Sequence, residues 1–360
     1  MKKAKREPFT LGDTTVQPGE SAQIDLEVGT FVTHEKLQLQ ATVIHGKLPG
    51  PTLLISGCIH GDEFNGAEII RRILRTKQVA KLKGTLLAVP IVNRPGFVRR
   101  SRYMPDRRDL NRLFPGSAKG SLGARLAKVF TDELVTRADL VIDLHTGAVN
   151  RSNMPQIRLT EGDNTSMEFA KVFAPPVILT SSQRESTLRA ASIDLETPIL
   201  LYEAGEALRL DASAIRFGVQ GILSVMRHMG MLSSRTRSQR KKSPIVISKK
   251  SFWERAPQGG IFIPLMSLGK AVNKGEVLGF IADPQANNEI EVKANYPGII
   301  IGRTNEAIAD EGDGLFHIAY AADIESAEDM IMQSTEALPD PIGDQDDHPV
   351  PYDAASDSIS

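Results

Sequence analysis

The chain has 360 residues, of which 24% are charged and 41% hydrophobic, and a formal net charge of −1. That length supports a sizeable core and two domains. The lone Cys58 excludes an internal disulfide and suits a reducing cytoplasm. No stretch has the apolar length of a membrane span, and the start MKKAKREPFTLGD lacks the hydrophobic region of a signal peptide. The expectation is a cytoplasmic protein with no membrane partner.

The near-neutral total hides a division. From Asp323 to Ser360 there are 11 acidic residues and no Lys or Arg, which leaves 43 basic against 33 acidic residues in the rest. Such a surplus suits a small anionic substrate drawn into an Arg-rich cleft. Aromatic interleaving and recognised nucleic-acid motifs are missing from the sequence, so no nucleic-acid partner is expected. Oligomeric state is left open, a homo-oligomer included.

In chain order, residues 1–40 read as an N-terminal arm, and Phe31 to Ile44 alternates in the manner of strands leading into a sheet. TLLISG (52–57), TLLAVPIVN (85–93), LVIDLH (140–145) and ILLYEAG (199–205) are short apolar runs bounded by turn residues, the pattern of buried, largely parallel strands. Helical spacing is predicted near 64–76, 121–135, 165–173 and 211–229. The alternation gives an α/β class for residues 41–230. A basic linker follows at 231–244, with a solvated run from Arg235 to Lys242. Over 245–322 the pattern changes to short strands broken by glycines, an all-β module. The remainder, 323–360, is an acidic tail expected to be disordered beyond about Ser334.

Three of the apolar runs stop at a group able to bind a metal. TLLISG leads to His60 and Glu63, LVID to His145, and ILLY to Glu203. Ligands in open α/β sheets gather where such strands end. Two imidazoles and a carboxylate are what a catalytic zinc site needs when it keeps a position open, and a second carboxylate can then take a proton. Gly57 and Gly61 allow a sharp turn around His60, and Asp62 is a plausible cap for the helix that follows, with Glu63 on its first turn. Asp143, on the strand face of His145, either orients that ring or is an ordinary strand-end residue. Cys58 has to be weighed as a ligand against a buried small side chain. Seven arginines fall between Arg94 and Arg112. Arg112 is set among Leu110, Leu113 and Phe114, and Asn111 beside it could complete a carboxylate grip.

These motifs, GCIHGDE at 57–63, RYMPDRRDLNRLFPG at 102–116, DLHTG at 143–147 and YEAG at 202–205, resemble the succinylglutamate desuccinylase/aspartoacylase family of zinc carboxypeptidase-like deacylases. The resemblance spans roughly residues 40–325. It implies an α/β/α sandwich with a mixed sheet, followed by a C-terminal barrel-sandwich-like β module. It implies one zinc ion on His60, Glu63 and His145, and Glu203 as general base and acid. Asn111 and Arg112 would grip a substrate carboxylate, and Arg102 would polarise the scissile carbonyl, with Arg107 or Arg108 as alternatives. The implied activity is hydrolysis of a small anionic N-acyl amino acid or related amide. An ester substrate, a zinc carboxypeptidase and a non-catalytic binding or carrier protein are the rival readings. GKAVNKGEVLGFI (269–281) also resembles biotinyl and lipoyl carrier barrels, but DPQANNEIEV carries no lysine at the tip, and Lys293 reads as strand-placed. Substrate discrimination is expected in segments 148–156 and 181–192.

Overall fold

A computed structural model describes residues 6–233, 244–285 and 288–336. The basic run Arg235–Lys242 and the tail from 337 onward lie outside the described residues. The chain begins with a small hairpin, β1 (Phe9–Leu11) and β2 (Thr14–Val16), then β3 (Glu20–Thr30) and β4 (Lys36–His45). The α/β part runs β5 (Thr52–Gly57), α1 (Asn65–Arg75), β6 (Thr85–Val89), α2 (Arg94–Arg99), α3 (Leu122–Glu133), β7 (Leu140–Gly147), β8 (Arg151–Thr160), α4 (Asn164–Phe173), β9 (Val177–Ser181), α5 (Leu188–Asp194), β10 (Ile199–Glu206) and α6 (Ala212–His228). The C-terminal part contains β11 (Val246–Ser248), β12 (Ser251–Arg255), β13 (Gly260–Pro264), β14 (Ala271–Val272), β15 (Val277–Ala282), β16 (Glu289–Lys293), β17 (Gly298–Thr304), β18 (Ile308–Ala309) and β19 (Gly314–Tyr320), and ends with α7 (Ile324–Glu336).

One mixed sheet of 13 strands organises the molecule, with a central order β12-β19-β17-β8-β10-β7-β5-β6-β4-β3. Its middle strands are buried on both faces, which is why they read as unbroken apolar runs. Leu53, Ile55, Ile142, Leu144, Leu200 and Tyr202 pack under α1, α4 and α6. Leu54, Val141 and Ile199 pack on the other side with Leu126 and Phe130 of α3 and Leu188 of α5. This is the expected α/β/α sandwich. Strand β6 stops at Val89 because Pro90 cannot donate to a ladder. Helix starts follow local capping: Ser121, Asp163, Thr187 and Asp211 each accept from a backbone N–H three residues on.

The C-terminal all-β module is present, with a four-stranded sheet, β16-β15-β13-β18, packed on the end of the main one. Phe262, Leu278, Ile281 and Val292 meet Ile300, Phe316 and Ile318 there. Strands β12, β19 and β17 continue the main sheet itself, because β17 pairs with β8. Helix α7, in a stretch where the sequence pattern placed only an acidic tail, lays Ala327 and Ile331 on Ile299, Ile301 and Leu179. Among the described residues no helix is long and apolar enough to cross a membrane.

His317 of β19 is almost fully buried, stacked on Trp253 at 4.7 Å with a 4° interplanar angle, and its Nδ1 has no hydrogen-bond partner among the described residues. Burial, and then Arg158, push its pKa down to about 3. The folded state therefore resists a proton that the unfolded chain accepts near pH 6.5, so stability falls as pH drops from about 6.5 toward 3. At most about 1.4 kcal/mol per pH unit is at stake. Urea unfolding at pH 7 and pH 5 is expected to show a larger loss for the wild type than for His317→Gln. In a second test, Phe130→Ala should cost about 3–5 kcal/mol by the same measurement, since it opens a cavity beneath the sheet.

Candidate metal centre

The site is built on the ends of three adjacent parallel strands. β5, β7 and β10 run side by side, with Gly57 opposite Leu144 and His145 opposite Glu203. Beyond β5 the backbone turns through Cys58, whose φ of 53° is left-handed, and the loop after β6 pins that turn through Val92 N–H to Gly57 O at 3.0 Å and Asn93 N–H to Cys58 O at 2.9 Å. A Cβ on Gly61 would lie 2.1 Å from the Gly96 carbonyl carbon, so only glycine lets this loop rest on the backbone of α2.

The turn at His60–Glu63 departs from the sequence reading. Asp62 does not cap α1; the helix starts at Asn65, behind Phe64, with no side-chain cap. The Glu63 N–H bonds back to His60 O at 3.2 Å, so the turn is used to aim Glu63 at the histidines, and the helix begins one step later. Asn65 ties that start to the far side of the site, donating to Ala204 O at 3.1 Å and accepting from Asp211 N–H at 3.0 Å.

Glu63 is the hub. Its Oε1 lies 2.6 Å from His60 Nδ1, its Oε2 2.8 Å from His145 Nδ1, and the Thr146 N–H donates to Oε2 at 3.2 Å. Ligand atoms of His60, Glu63 and His145 lie within 4.8 Å of one another. Each ring also has a carboxylate behind it: Asp143 Oδ2 at 2.7 Å from His145 Nε2, and Asp109 Oδ1 at 3.1 Å from His60 Nε2. Ser56 Oγ fixes Asp143 through a 2.8 Å bond. Rings whose Nε2–H groups donate outward turn bare Nδ1 lone pairs toward an ionised carboxylate. Lone pairs and a carboxylate repel, so positive charge has to lie between them, as protons or as a metal cation. Without a metal, the protons must do it. Burial opposes the charge, yet Asp143 and then Glu63 raise His145 well above its ordinary pKa. His60 is likewise raised against its burial, by Glu63 and Asp109. Burial also works against Glu63, but His60 and His145 hold its carboxyl far below the usual range. The donor set therefore fits a divalent cation.

Arg102 borders the cluster. Its Nη1 reaches Glu63 Oε1 at 3.3 Å, and its Nε and Nη2 reach Asp109 Oδ2 at 3.2 and 3.0 Å. Arg107 and Arg108 are exposed, and Arg108 pairs with Asp106 instead. Asn111 is buried, and its Oδ1 accepts from Leu188 N–H at 2.9 Å, while its amide NH2 has no partner among the described residues. Arg112 is partly buried and forms no ion pair among the described residues; burial, with Arg184 and Arg102 near it, lowers its pKa. Glu203 accepts at Oε2 from Asn153 Nδ2 at 2.6 Å and lies 3.4 Å from Arg158 Nη2.

Several neighbours were not singled out from sequence. Asp109 and Asn153 lay inside highlighted segments without a role, and Arg158 sits mid-strand in β8. Arg189, on α5 within 181–192, is nearly buried, and its Nη2 donates to Ser181 Oγ at 3.4 Å. Burial and Arg158 lower its pKa while Glu203 opposes them. On β8, Gln156 stands directly opposite Glu203 and Arg158 shares that face, a register between distant segments that gives no signal in the local sequence.

Comparison with known proteins gives a consistent picture. A sequence model of the succinylglutamate desuccinylase/aspartoacylase catalytic domain matches residues 49–229. An N-alpha-acetyl-L-2,4-diaminobutyric acid deacetylase of Halomonas elongata is 25% identical over 281 residues, 75% of this chain and 82% of that protein. A succinylglutamate desuccinylase of Pseudomonas aeruginosa is 33% identical over 131 residues, 34% of this chain and 38% of the other. The product-bound ectoine utilization protein of Ruegeria pomeroyi shares the fold, with a TM-score of 0.74, 23% identity, and coverage of 84% of this chain and 95% of that one. The chain belongs to the succinylglutamate desuccinylase/aspartoacylase family.

Cys58 is not part of the cluster. Its Sγ donates to Glu63 O at 3.3 Å, and burial, with the Glu63 charge, raises the thiol pKa to about 12. The native protein is expected to resist iodoacetamide at pH 8 and to take up one label in denaturant, as read by mass spectrometry; rapid native labelling would contradict this burial.

Proposed function

We propose that this chain is a zinc-dependent hydrolase that removes the acyl group from a small N-acyl amino acid or related amide. What carries the reading is the convergence of His60, Glu63 and His145 around one point, with Glu203 on the neighbouring strand directly opposite His145. The names of the relatives support the bond type: one is a deacetylase of an acetylated diamino acid, the other a desuccinylase of an acylated glutamate. This favours amide deacylation over a carboxypeptidase.

His60, Glu63 and His145 would hold the zinc ion. Bound there, zinc supplies Lewis acidity, polarising the scissile carbonyl and making water a better nucleophile near neutral pH. Glu203 accepts a proton from the attacking water and returns it to the departing amine. Its Oε2 is already engaged by Asn153 and Arg158, so Oε1 is the free oxygen for this traffic. Arg102, poised at the edge of the cluster, faces the negative charge that develops on the carbonyl oxygen. Asn111, through its amide NH2, and Arg112, whose Nη1 donates to Asn111 O but whose guanidinium has no ion-pair partner among the described residues, grip the substrate carboxylate. Glu203 pairs with Arg158 and acts on Arg189 only at longer range, so the two arginines leave a surplus positive charge for an anionic substrate.

Purified protein assayed with N-acetyl-2,4-diaminobutyrate, N-succinylglutamate, N-acetylaspartate and short peptides should release amine from at least one acylated amino acid and not from the peptides. Chelation should stop turnover and added zinc restore it. Peptide cleavage alone would replace the deacylase reading with a carboxypeptidase. Glu203→Gln should retain zinc and lose about 10²–10⁴-fold in kcat. Asp143→Asn should weaken zinc affinity by about 10–100-fold in chelator competition, because it frees the His145 ring.

A further inference from the structure

Asn153, Gly302, His317 and Trp253 stand opposite one another on adjacent strands β8, β17, β19 and β12, and Gly205 of β10 continues the row on the catalytic side. Directly opposed residues share a face of a sheet, so the Asn153, His317 and Trp253 side chains line one surface. Gly302 interrupts that surface. A Cβ there would lie 2.8 Å from Asn153 Oδ1 and 3.1 Å from His317 Cβ. The Asn153 amide therefore lies over the bare Gly302 backbone, and the stacked His317–Trp253 pair adjoins it. From this nearly buried position its Nδ2 donates to Glu203 Oε2 at 2.6 Å.

The chemistry of that bond is one-sided. An amide NH2 can only donate, so the oxygen it touches must offer a lone pair. The bond favours the ionised carboxylate with Oε2 turned toward β8, which leaves Oε1 to receive the proton. Gly302 lies outside the stretch 49–229 that matches the family's catalytic domain. We infer that Asn153 is a positioning residue that aims the Glu203 carboxylate, and that Gly302 of the C-terminal module holds Asn153 in place by leaving it room. The inference rests on the reading of Glu203 as the proton acceptor.

The test uses full-length, zinc-loaded wild type, Asn153→Ala, Asn153→Asp, Gly302→Ala and the Asn153→Ala/Gly302→Ala double variant, with Tm and bound zinc measured for each. On an N-acyl amino acid that the wild type hydrolyses, Asn153→Ala should lower kcat by about 10–100-fold, as expected for a misaimed group. KM should stay within about threefold, and zinc content should not change. Asn153→Asp keeps the side-chain volume but loses the donor, and it should fall at least as far. Gly302→Ala should also lower kcat, yet add less than about twofold on the Asn153→Ala background, because both act through one contact. A folded Asn153→Asp protein with wild-type zinc and kcat overturns the inference. A Gly302→Ala loss that persists undiminished in the double variant does the same. If the wild type hydrolyses no panel member, the functional reading fails, and crystal structures still decide this point. Glu203 turned away from its wild-type orientation in Gly302→Ala upholds the contact; Glu203 unmoved overturns it.

Discussion

Two imidazole lone pairs pointed at one buried carboxylate cannot coexist without a positive charge between them. The architecture of this protein maintains that arrangement. Asp143 and Asp109 take the outer ring nitrogens of His145 and His60, and Ser56 in turn holds Asp143. With the outer nitrogens occupied, the rings cannot swing away from Glu63. The strain of gathering four carboxylates, those of Glu63, Asp62, Asp109 and Asp143, near two histidines is offset in part by Arg102, which bridges Glu63 and Asp109.

The sheet makes such a cluster affordable in a stable fold. Middle strands buried on both faces need apolar side chains along their length and can carry polar ones only at their ends. β5, β7 and β10 obey this rule, and their C-terminal ends lie side by side, so groups distant in sequence are neighbours in space. Polar partners arrive from loops and from β8, whose site-side residues Asn153 and Arg158 meet Glu203.

That logic explains what was readable beforehand. Apolar runs ending in His60, His145 and Glu203 announced both the central strands and the closeness of these side chains. Helix positions followed from spacing, and the structure adds that Ser121 and Asp211 cap two of them. Other features were hidden for physical reasons. Asp62 resembled a cap, but turn geometry assigned by the tertiary contacts of Glu63 overrode local preference. Arg158 and Asn153 face the site only because β8 crosses antiparallel beside β10, and a register between segments some fifty residues apart leaves no local trace. Helix α7 lies in a segment whose acidic composition masked the few apolar positions, Ala327 and Ile331, that dock it. The resemblance favoured Arg102 over Arg107 and Arg108, and the fold exposes the latter two while turning the first inward.

The pairing of β17 with β8 bears on how this protein could be cut or recombined. A fragment ending after α6 would retain every group gathered around Glu63, yet it would leave the outer backbone of β8 near Arg151–Asn153 unsatisfied and strip Met154, Val177 and Leu179 of their cover. Bare strand rims of this kind invite association with other chains. The second module is thus a stretch of the same fabric, and swapping it between relatives would exchange part of the wall beside Glu203 along with it.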